Sequence, residues 1–212
     1  MNHTMRILIA DDHTIFREGL KQVISGTANM CVADEVADGR DVLMKVRNND
    51  YDLVILDISL PGRSGLDILS ELKAARPKLP VLILSMHPEE QYALRALKSG
   101  ASGYLTKGSS SHELIEALQK ISMGKKYVSP SLAEVLASRL GSGEEEQPHE
   151  RLSDREFQVM RLIAAGATPK KIAESLMVSI KTVNTYRARI LQKMNMTCNA
   201  ELTRYAIQHK ML

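Results

Sequence analysis

"VILDISLPGRSG", residues 54–65, changes from an apolar run to a charged residue and a turn, and this change indicates the fold of the first part of the chain. Four apolar residues, Leu53–Leu56, end abruptly at the carboxylate of Asp57, and a Pro-Gly turn follows four residues later. A run of Val, Ile and Leu without polar alternation is typical of a parallel strand that is covered on both faces. The carboxylate of Asp57 therefore stands at the carboxyl end of a predicted buried strand.

Strand-like and helix-like segments alternate five times before residue 124. The predicted strands are Arg6–Ala10, Met30–Val36, Leu53–Leu56, Val81–Leu84 and Gly103–Leu105. The predicted amphipathic helices are Thr14–Ser25, Gly39–Asn48, Gly65–Arg76, Glu89–Ser99 and Ser111–Met123. Five β-α units predict an α/β fold with a doubly wound parallel sheet, because right-handed crossovers place helices on both faces. In such a sheet, ligands bind at the carboxyl ends of the strands, where the strand order reverses.

Charged and hydroxyl side chains follow four of the predicted strands. They are Asp11 and Asp12 after the first strand, Asp57 after the third, Ser85 after the fourth, and Thr106 with Lys107 after the fifth. Close carboxylates repel one another, and Mg²⁺, a hard cation that takes oxygen ligands, relieves that repulsion. The ammonium and hydroxyl groups suit phosphoryl oxygens, and an aspartate in such a site can form an acyl phosphate. The alternative is that each acid caps a helix or lies in a solvated loop, but the occurrence of the set at four strand ends favours a functional site.

Length and composition are those of an ordinary globular chain. The 212 residues suit two domains, and 44% hydrophobic with 25% charged residues is a common balance. No apolar run approaches the roughly 20 residues that span a bilayer, so no transmembrane helix and no membrane partner are expected. The acidic pair comes too early for a signal peptide, and the residues before Met5 are interpreted as a short leader. Cys31 and Cys198, expected in different domains, suggest a reducing compartment, with the cytoplasm as the default.

Charge divides the chain into three parts. Residues 1–140 have no net charge, residues 141–150 carry −4 and residues 151–212 carry +7. A basic module behind an acidic connector suggests a tethered domain that binds a polyanion, although a solvated basic surface has the same composition. In the connector, Ser129-Pro130-Ser131 can start a helix and Leu132–Leu140 has a helical pattern. The stretch Gly141–Glu150 has no apolar residue and is predicted to be flexible.

Helix start and stop signals fill the last part of the chain. Ser153 and Glu156 form a capping box, Gly166 ends that helix, Thr168 with Pro169 opens a second helix, and Ser179 caps a third. Two helices joined by the tight "MVS" turn predict a helix-turn-helix, whose second helix enters the major groove of DNA.

The third of these helices has two different faces. Val183, Tyr186, Ile190 and Met194 follow a 3/4 spacing and are expected to face the core. The opposite side and its flanks give the candidate DNA contacts, Lys181, Thr182, Asn184, Thr185, Arg187, Ala188 and Arg189. Asn and Thr can read base edges, and Lys and Arg can hold phosphates. A merely solvated basic helix is the alternative, and the preceding capped helix and turn favour DNA binding.

Residues 5–123 resemble the receiver domain of two-component response regulators, which has a flavodoxin-like (βα)5 fold. The resemblance rests on the acidic pair Asp11-Asp12, "VILDISLPGRSG" around Asp57, Ser85, Tyr104 two residues before Thr106, and Lys107. It implies that Asp57 accepts a phosphoryl group from a sensor histidine kinase and that the chain is not a turnover enzyme. It further implies Mg²⁺ held by Asp12, Asp57 and the Ser59 carbonyl, with Asp11 acting through water, a Ser85–Tyr104 switch pair, and a phosphoryl contact from Lys107. Gly108 replaces the proline of many receivers, so the usual cis peptide is not expected there.

Two other classes of protein share some features of the first half. Metal-dependent phosphatases also use an aspartate nucleophile after a strand, but they usually carry a second aspartate two residues on, where this chain has Ser59. The absence of that second aspartate favours a switch that keeps its phosphoryl group, rather than a hydrolase that releases it. The support for a nucleotide-binding protein is weaker still, because the sequence has no phosphate-binding loop motif and no dinucleotide fingerprint.

Residues of about 150–210 resemble the LuxR-type DNA-binding domain of NarL/FixJ response regulators, on the pattern "LSDRE…G…KKIAESLMVSIKTVNTYRARILQKM". The expected organisation is a receiver over 5–123, a linker over 124–150 and a helix-turn-helix domain over 151–212. The expected partners are the kinase, double-stranded promoter DNA and a second copy of the chain on DNA. In that family the fourth helix, near Asn199–His209, is often a dimer surface, to which Leu202, Tyr205 and Ala206 would be suited. Packing in the domain's own core explains the presence of these three residues equally simply. The competing function is a receiver whose tail binds protein or RNA.

Overall fold

The computed structural model describes residues 4–61, 63–142, 147–209 and 211–212. The expected leader falls largely on residues 1–3 and the acidic centre of the linker on residues 143–146, and both lie outside the described residues. The chain divides into two compact units, Met1–Ser142 and Gly143–Leu212, and each is described by itself. No helix among the described residues is long and apolar enough to cross a membrane.

The first unit is a five-stranded parallel sheet in the order β2-β1-β3-β4-β5. Its strands are β1 (Met5–Ala10), β2 (Met30–Val36), β3 (Leu53–Leu56), β4 (Val81–Ser85) and β5 (Gly103–Thr106). Its helices are α1 (Thr14–Ser25), α2 (Gly39–Asn48), α3 (Gly65–Ala75), α4 (Glu89–Lys98) and α5 (Ser111–Ser122), followed by α6 (Pro130–Ser142). The predicted doubly wound α/β fold is confirmed.

The strand β3 lies at the centre of this sheet. All four of its residues are buried, and it pairs with β1 on one side and β4 on the other. After β1 the chain moves to β2 at one edge, and after β3 it moves to β4 and β5 at the other edge. The order therefore reverses between β1 and β3, so the residues that follow these two strands border the crevice where such folds bind ligands.

Gly65 shapes the chain on one side of that crevice. Its N–H donates to the carbonyl of Ile58 at 2.9 Å, and α3 begins at this residue. A Cβ atom at position 65 would collide with the backbone carbonyl of Asp57. Glycine is required because α3 starts directly against the backbone that carries Asp57.

The second unit is helical. A 3₁₀ helix, Pro148–Arg151, precedes α7 (Asp154–Ala164), α8 (Pro169–Ser175), α9 (Ile180–Lys193) and α10 (Asn199–Gln208). The predicted starts are confirmed, because the side chains of Ser153, Thr168 and Ser179 each accept a backbone N–H at the first turn of α7, α8 and α9. The predicted stop is confirmed at Gly166, whose φ of 81° lies in the left-handed region.

The linker differs from the prediction at both of its described ends. The helix α6 continues to Ser142, two residues into the stretch predicted to be flexible. On the other side, His149 hydrogen-bonds the Tyr205 hydroxyl at 2.8 Å, and its ring lies 6.0 Å from that of Phe157. These contacts hold the 3₁₀ helix against α7 and α10, so the folded second unit begins before the predicted boundary at residue 151.

Candidate functional site

One ammonium group lies between two buried carboxylates at the carboxyl edge of the sheet. Lys107 Nζ is 2.7 Å from Asp11 Oδ2 and 2.8 Å from Asp57 Oδ2, and the three side chains are only 1–3% exposed. Asp11 follows β1, Asp57 follows β3 and Lys107 follows β5, so the sheet brings together residues that are far apart in sequence. The structure thus joins three of the predicted site residues.

Asp57 is held on both of its carboxylate oxygens. Oδ2 accepts from Lys107, and Oδ1 accepts the backbone N–H of Ser59 at 3.1 Å. Burial raises the pKa of Asp57 above its ordinary value, and the bonds from Lys107 and Ser59 oppose that rise only in part. The carboxylate is therefore oriented by fixed donors in a site that is largely withdrawn from water.

Asp12 and His13 form the exposed rim of the acidic cluster. His13 Nδ1 is 2.8 Å from Asp12 Oδ1 and 3.1 Å from Asp11 Oδ1, and the His13 backbone N–H donates to Asp11 Oδ1 at 2.8 Å. Sequence reasoning did not include His13, although its place directly after the acidic pair was an available signal.

The cluster has the donor chemistry of a hard-cation site. Ligand atoms of Asp11, Asp12, His13 and Asp57 all lie within 4.8 Å of one another. Three of the four are carboxylates, which Mg²⁺ prefers, whereas the nitrogen of His13 suits softer metals. The residues present therefore fit a magnesium ion through their oxygens.

The predicted hydroxyl pair lies on two neighbouring strands, with Ser85 at the end of β4 and Tyr104 within β5. Ser85 and Tyr104 are both buried, and burial raises the pKa of Tyr104 above its ordinary value. The Tyr104 hydroxyl donates to the carbonyl of His87 at 2.8 Å, and the Ser85 hydroxyl oxygen accepts the N–H of His87 at 3.1 Å. His87 therefore connects both hydroxyl residues to the turn between β4 and α4.

His87 was missed by sequence reasoning. Its ring stacks on that of Tyr92 with centroids 4.7 Å apart, and its Nε2 lies 3.4 Å from the Ser59 hydroxyl. A single histidine in a turn gives no sequence signal, because its partners lie on β5, on α4 and in the turn after β3. No cis peptide bond occurs in the described part of the chain.

The exposed face of α9 carries the predicted set of DNA-contacting residues. Val183 and Ile190 are buried, Met194 just after the helix is buried too, and Tyr186 is half-buried. Lys181, Asn184, Thr185, Ala188 and Arg189 are exposed, and Thr182 and Arg187 are half-buried at the flanks. The predicted division of α9 into a core face and an exposed face is confirmed.

Three of these side chains already have hydrogen bonds within the unit. The Thr182 hydroxyl shares one with the Ser179 hydroxyl at 2.8 Å. The Thr185 hydroxyl donates to the carbonyl of Lys181 at 3.0 Å, so it keeps only its acceptor capacity for a base edge. Arg187 Nε donates to Asn199 Oδ1 at 2.7 Å, which directs the guanidinium toward the start of α10. Sequence reasoning did not include Asn199.

An ion pair between the buried Glu156 and the exposed Lys193 attaches α9 to α7. Lys193 Nζ donates to Glu156 Oε2 at 2.6 Å, and the same carboxylate oxygen accepts the N–H of Ser153 at 2.8 Å. Burial raises the pKa of Glu156, but the bonds from Lys193 and Ser153 outweigh burial and hold it below its ordinary value. The exposed face of α9 is thereby supported by a helix that lies behind it.

The fourth helix of this unit packs on its own core. Leu202 and Ala206 of α10 are fully buried, and Tyr205 is half-buried with its hydroxyl at His149. Burial within the unit thus accounts for these three residues without a second chain. Ile207 on the same helix is exposed.

Comparison with known proteins matches both halves of the chain to families. The response regulator receiver domain matches residues 7–119, and the bacterial regulatory proteins of the luxR family match residues 150–206. Oxygen regulatory protein NreC of Staphylococcus carnosus (strain TM300) is 36% identical over 215 residues, covering 98% of this chain and 99% of that protein.

Solved structures agree with this assignment. RcsB from Salmonella enterica serovar Typhimurium, bound to promoter P1flhDC in the presence of phosphomimetic BeF3-, is 26% identical with a TM-score of 0.62, covering 96% of this chain and 98% of that one. A structure of two RcsB dimers bound to two parallel DNAs has a TM-score of 0.61 at 26% identity, with the same coverage. The chain belongs to the two-component response regulators of the NarL/FixJ family, with a receiver domain and a LuxR-type DNA-binding domain.

Proposed function

We propose that this response regulator is switched by transfer of a phosphoryl group from a sensor histidine kinase to Asp57. The observation that carries the proposal is the ammonium of Lys107 between the buried carboxylates of Asp57 and Asp11. A carboxylate oxygen of Asp57 attacks the phosphorus, and the phosphohistidine nitrogen leaves. The ammonium of Lys107 lies where charge on the phosphoryl oxygens needs stabilisation.

Mg²⁺ is the proposed cofactor of this transfer. Asp12, Asp57 and the backbone carbonyl of Ser59 would hold it, and Asp11 would contribute through water. When bound, the ion neutralises the carboxylates and the phosphoryl oxygens. This chain's own contribution is to orient Asp57 through the Ser59 N–H and Lys107, and to withdraw it from water.

The proposed readout uses the hydroxyl pair. A phosphoryl group brings a charge of about −2 to the carboxyl edge of the sheet. The Ser85 hydroxyl turns to a phosphoryl oxygen and gives up the N–H of His87, and Tyr104 moves into the space that Ser85 vacates. The face formed by α4 and β5 then differs between the two states, as a two-state switch requires.

The proposed output is binding of α9 in the major groove of double-stranded promoter DNA. Its exposed residues Asn184 and Thr185 are assigned to base edges, and Lys181 and Arg189 to phosphates, with the flanking Thr182, Arg187 and Ala188 beside them. RcsB, a relative of known structure, is bound to promoter DNA and as dimers on DNA, which supports a homodimer of this chain on its site. Because its proposed target is promoter DNA, the protein is proposed to act in the cytoplasm.

The proposed domains are a receiver over 5–123, a linker over 124–146 and a DNA-binding domain from residue 147. The start is moved back from 151 because His149 packs on Phe157 and Tyr205. The chain is proposed to take up a phosphoryl group and to lose it slowly, without being a turnover enzyme.

Chemical phosphorylation tests the assignment of Asp57. Acetyl phosphate with Mg²⁺ should add the mass of one phosphoryl group to the wild-type chain and none to Asp57→Asn. Asp12→Asn should be labelled more slowly and should need more Mg²⁺, because it keeps the acceptor and loses a cation ligand. Asp41→Asn, which changes an exposed aspartate of α2, is the matched control and should be labelled like the wild type. Stoichiometric labelling of Asp57→Asn overturns the assignment.

A further inference from the structure

The start of α6 is hydrogen-bonded to the start of α4. The carboxylate of Glu89, the first residue of α4, accepts the Ser129 hydroxyl at 2.5 Å and the Ser131 hydroxyl at 3.0 Å. The Ser129 hydroxyl oxygen also accepts the N–H of Leu132 at 3.1 Å and so caps α6. One carboxylate thus joins the starts of two helices through residues that are 40 and 42 positions apart in sequence.

A second contact holds the same segment against β5. The Tyr127 N–H donates to the carbonyl of Ser102 at 2.8 Å, and Tyr127 forms a parallel bridge with Gly103. A Cβ at Gly103 would lie 3.1 Å from the Cβ of Tyr127, so the two backbones approach more closely than most side chains allow. Tyr127 and Leu132 are both buried. Residues 127–132 are therefore attached to β5 and to α4.

Both attachments lie beside the proposed switch residues. Gly103 directly precedes Tyr104, and Glu89 comes two residues after His87, whose carbonyl accepts the Tyr104 hydroxyl. Moving Tyr104 removes one of the hydrogen bonds that hold the turn directly before Glu89. The beginning of α6 therefore depends on the two elements whose contacts change when the switch acts.

We propose that Glu89, Ser129 and Ser131 form a latch that restrains the linker helix in the unphosphorylated protein and opens on phosphorylation of Asp57. This inference rests on the proposed function. A two-state switch needs contacts that exist in one state and not in the other, and the latch supplies such contacts. Because α6 ends at Ser142, where the first unit ends, the latch controls the chain by which the DNA-binding domain is tethered.

Glu89→Ala in the full-length chain tests the latch, with Glu90→Ala as the matched control. Both variants remove one carboxylate from the first turn of α4, so both change the interaction with the helix dipole similarly. Each is compared with the wild type for Asp57 labelling by acetyl phosphate and for affinity to a duplex that the wild-type protein selects from a random pool. Glu89→Ala should be labelled normally. It should bind this duplex more tightly before phosphorylation. The increase in DNA affinity on phosphorylation should therefore be smaller by about fivefold or more, within the usual range of allosteric coupling.

Amide exchange gives a readout at the latch itself. The N–H groups of Leu132 and Ala133 are bonded to the Ser129 side chain and carbonyl. They should exchange faster when the wild type is phosphorylated, and fast in both states of Glu89→Ala. Ser131→Ala, which removes one latch bond and leaves the cap on Leu132, should give an intermediate rate before phosphorylation.

The outcomes separate the latch from the proposed function. A wild type without label at Asp57, or without a gain in DNA affinity, overturns both. If Glu89→Ala is labelled normally and its DNA affinity rises on phosphorylation as much as that of Glu90→Ala, the latch alone is overturned. Exchange at Leu132 and Ala133 that does not respond to phosphorylation of the wild type also overturns the latch alone.

Discussion

Replacing Lys107 with methionine tests how the two buried carboxylates are held together. Methionine keeps an apolar side chain and removes the ammonium that lies 2.7 and 2.8 Å from Asp11 and Asp57. Removing one partner of a buried ion pair costs about 3–5 kcal/mol of folding free energy, because the remaining charge stays buried without its partner. Losing the ammonium leaves two buried carboxylates without it, which raises the cost. Water can reach the site at the exposed Asp12, which lowers the cost. We therefore expect a loss of about 3 kcal/mol at neutral pH without divalent cations.

The loss should depend on pH and on Mg²⁺. Burial already raises the pKa of Asp57 above 3.8, and the loss of Lys107 raises it further. A carboxyl group whose pKa is raised by folding binds its proton more tightly when folded, so stability falls as pH rises from 3.8 through the folded pKa. The penalty of Lys107→Met therefore shrinks toward acid pH. Mg²⁺ at 100 times its Kd stabilises a folded protein that binds it by about 2.7 kcal/mol. The variant should bind Mg²⁺ more tightly than the wild type, because no ammonium competes for the carboxylates, so its loss relative to the wild type shrinks in Mg²⁺.

Hydrogen exchange in urea measures this free energy in the first unit alone, through peptides that cover β1 and β3. Wild type and Lys107→Met are compared in EDTA and in Mg²⁺, with Lys78→Met, an exposed lysine of the same unit, as the control. Lys107→Met should lose stability mainly in EDTA, and Lys78→Met should resemble the wild type in both buffers. An equal loss with and without Mg²⁺, or a loss in EDTA below about 1 kcal/mol, which is typical of a surface pair, refutes the reasoning.

Three further predictions, which use five substitutions, test the second unit. Asn184→Ala should cost about 1–3 kcal/mol of binding free energy on a selected duplex and little on a scrambled one, whereas Lys181→Ala should weaken both and lower the salt slope by about one. Equal losses on both duplexes for Asn184→Ala contradict its assignment to base edges. Arg187→Ala and Asn199→Ala should give non-additive losses of DNA affinity in a double-mutant cycle, because Asn199 orients the Arg187 guanidinium, and additive losses contradict this. Glu156, whose pKa is lowered on folding, contributes stability above pH 4.5 that is lost as pH falls through its folded pKa. Thermal unfolding of Glu156→Gln should therefore depend less on pH in this range, and an unchanged pH profile contradicts the role of the pair.

Local rules were strong enough to predict the fold and its helix boundaries from the sequence. Continuous apolar runs gave β3 and β4 because central parallel strands are buried on both faces. Ser153, Thr168 and Ser179 marked helix starts because each caps the chain within its own next three residues. The position of Asp57 at the carboxyl ends of the strands followed from the topology of a doubly wound sheet alone.

Apart from those of His13 with Asp11 and Asp12, the contacts that sequence reasoning missed join residues on separate helices, strands or turns. Glu89 meets Ser129, and Arg187 meets Asn199, through side chains that could equally have faced water. No periodicity or cap predicts such pairs, because they depend on how separate helices pack. The contacts at the described ends of the linker could not be predicted for the same reason, since a stretch without apolar residues can still make a contact such as that of His149 with Tyr205.

The measurement that tests the central claim most directly is DNA affinity before and after treatment with acetyl phosphate and Mg²⁺. It uses the full-length wild type, Asp57→Asn and the control Asp41→Asn on one selected duplex at fixed salt. The account predicts that treatment tightens binding by the wild type and by Asp41→Asn and leaves Asp57→Asn unchanged. A similar gain by Asp57→Asn, or a fully labelled wild type that binds DNA no more tightly than before, contradicts it.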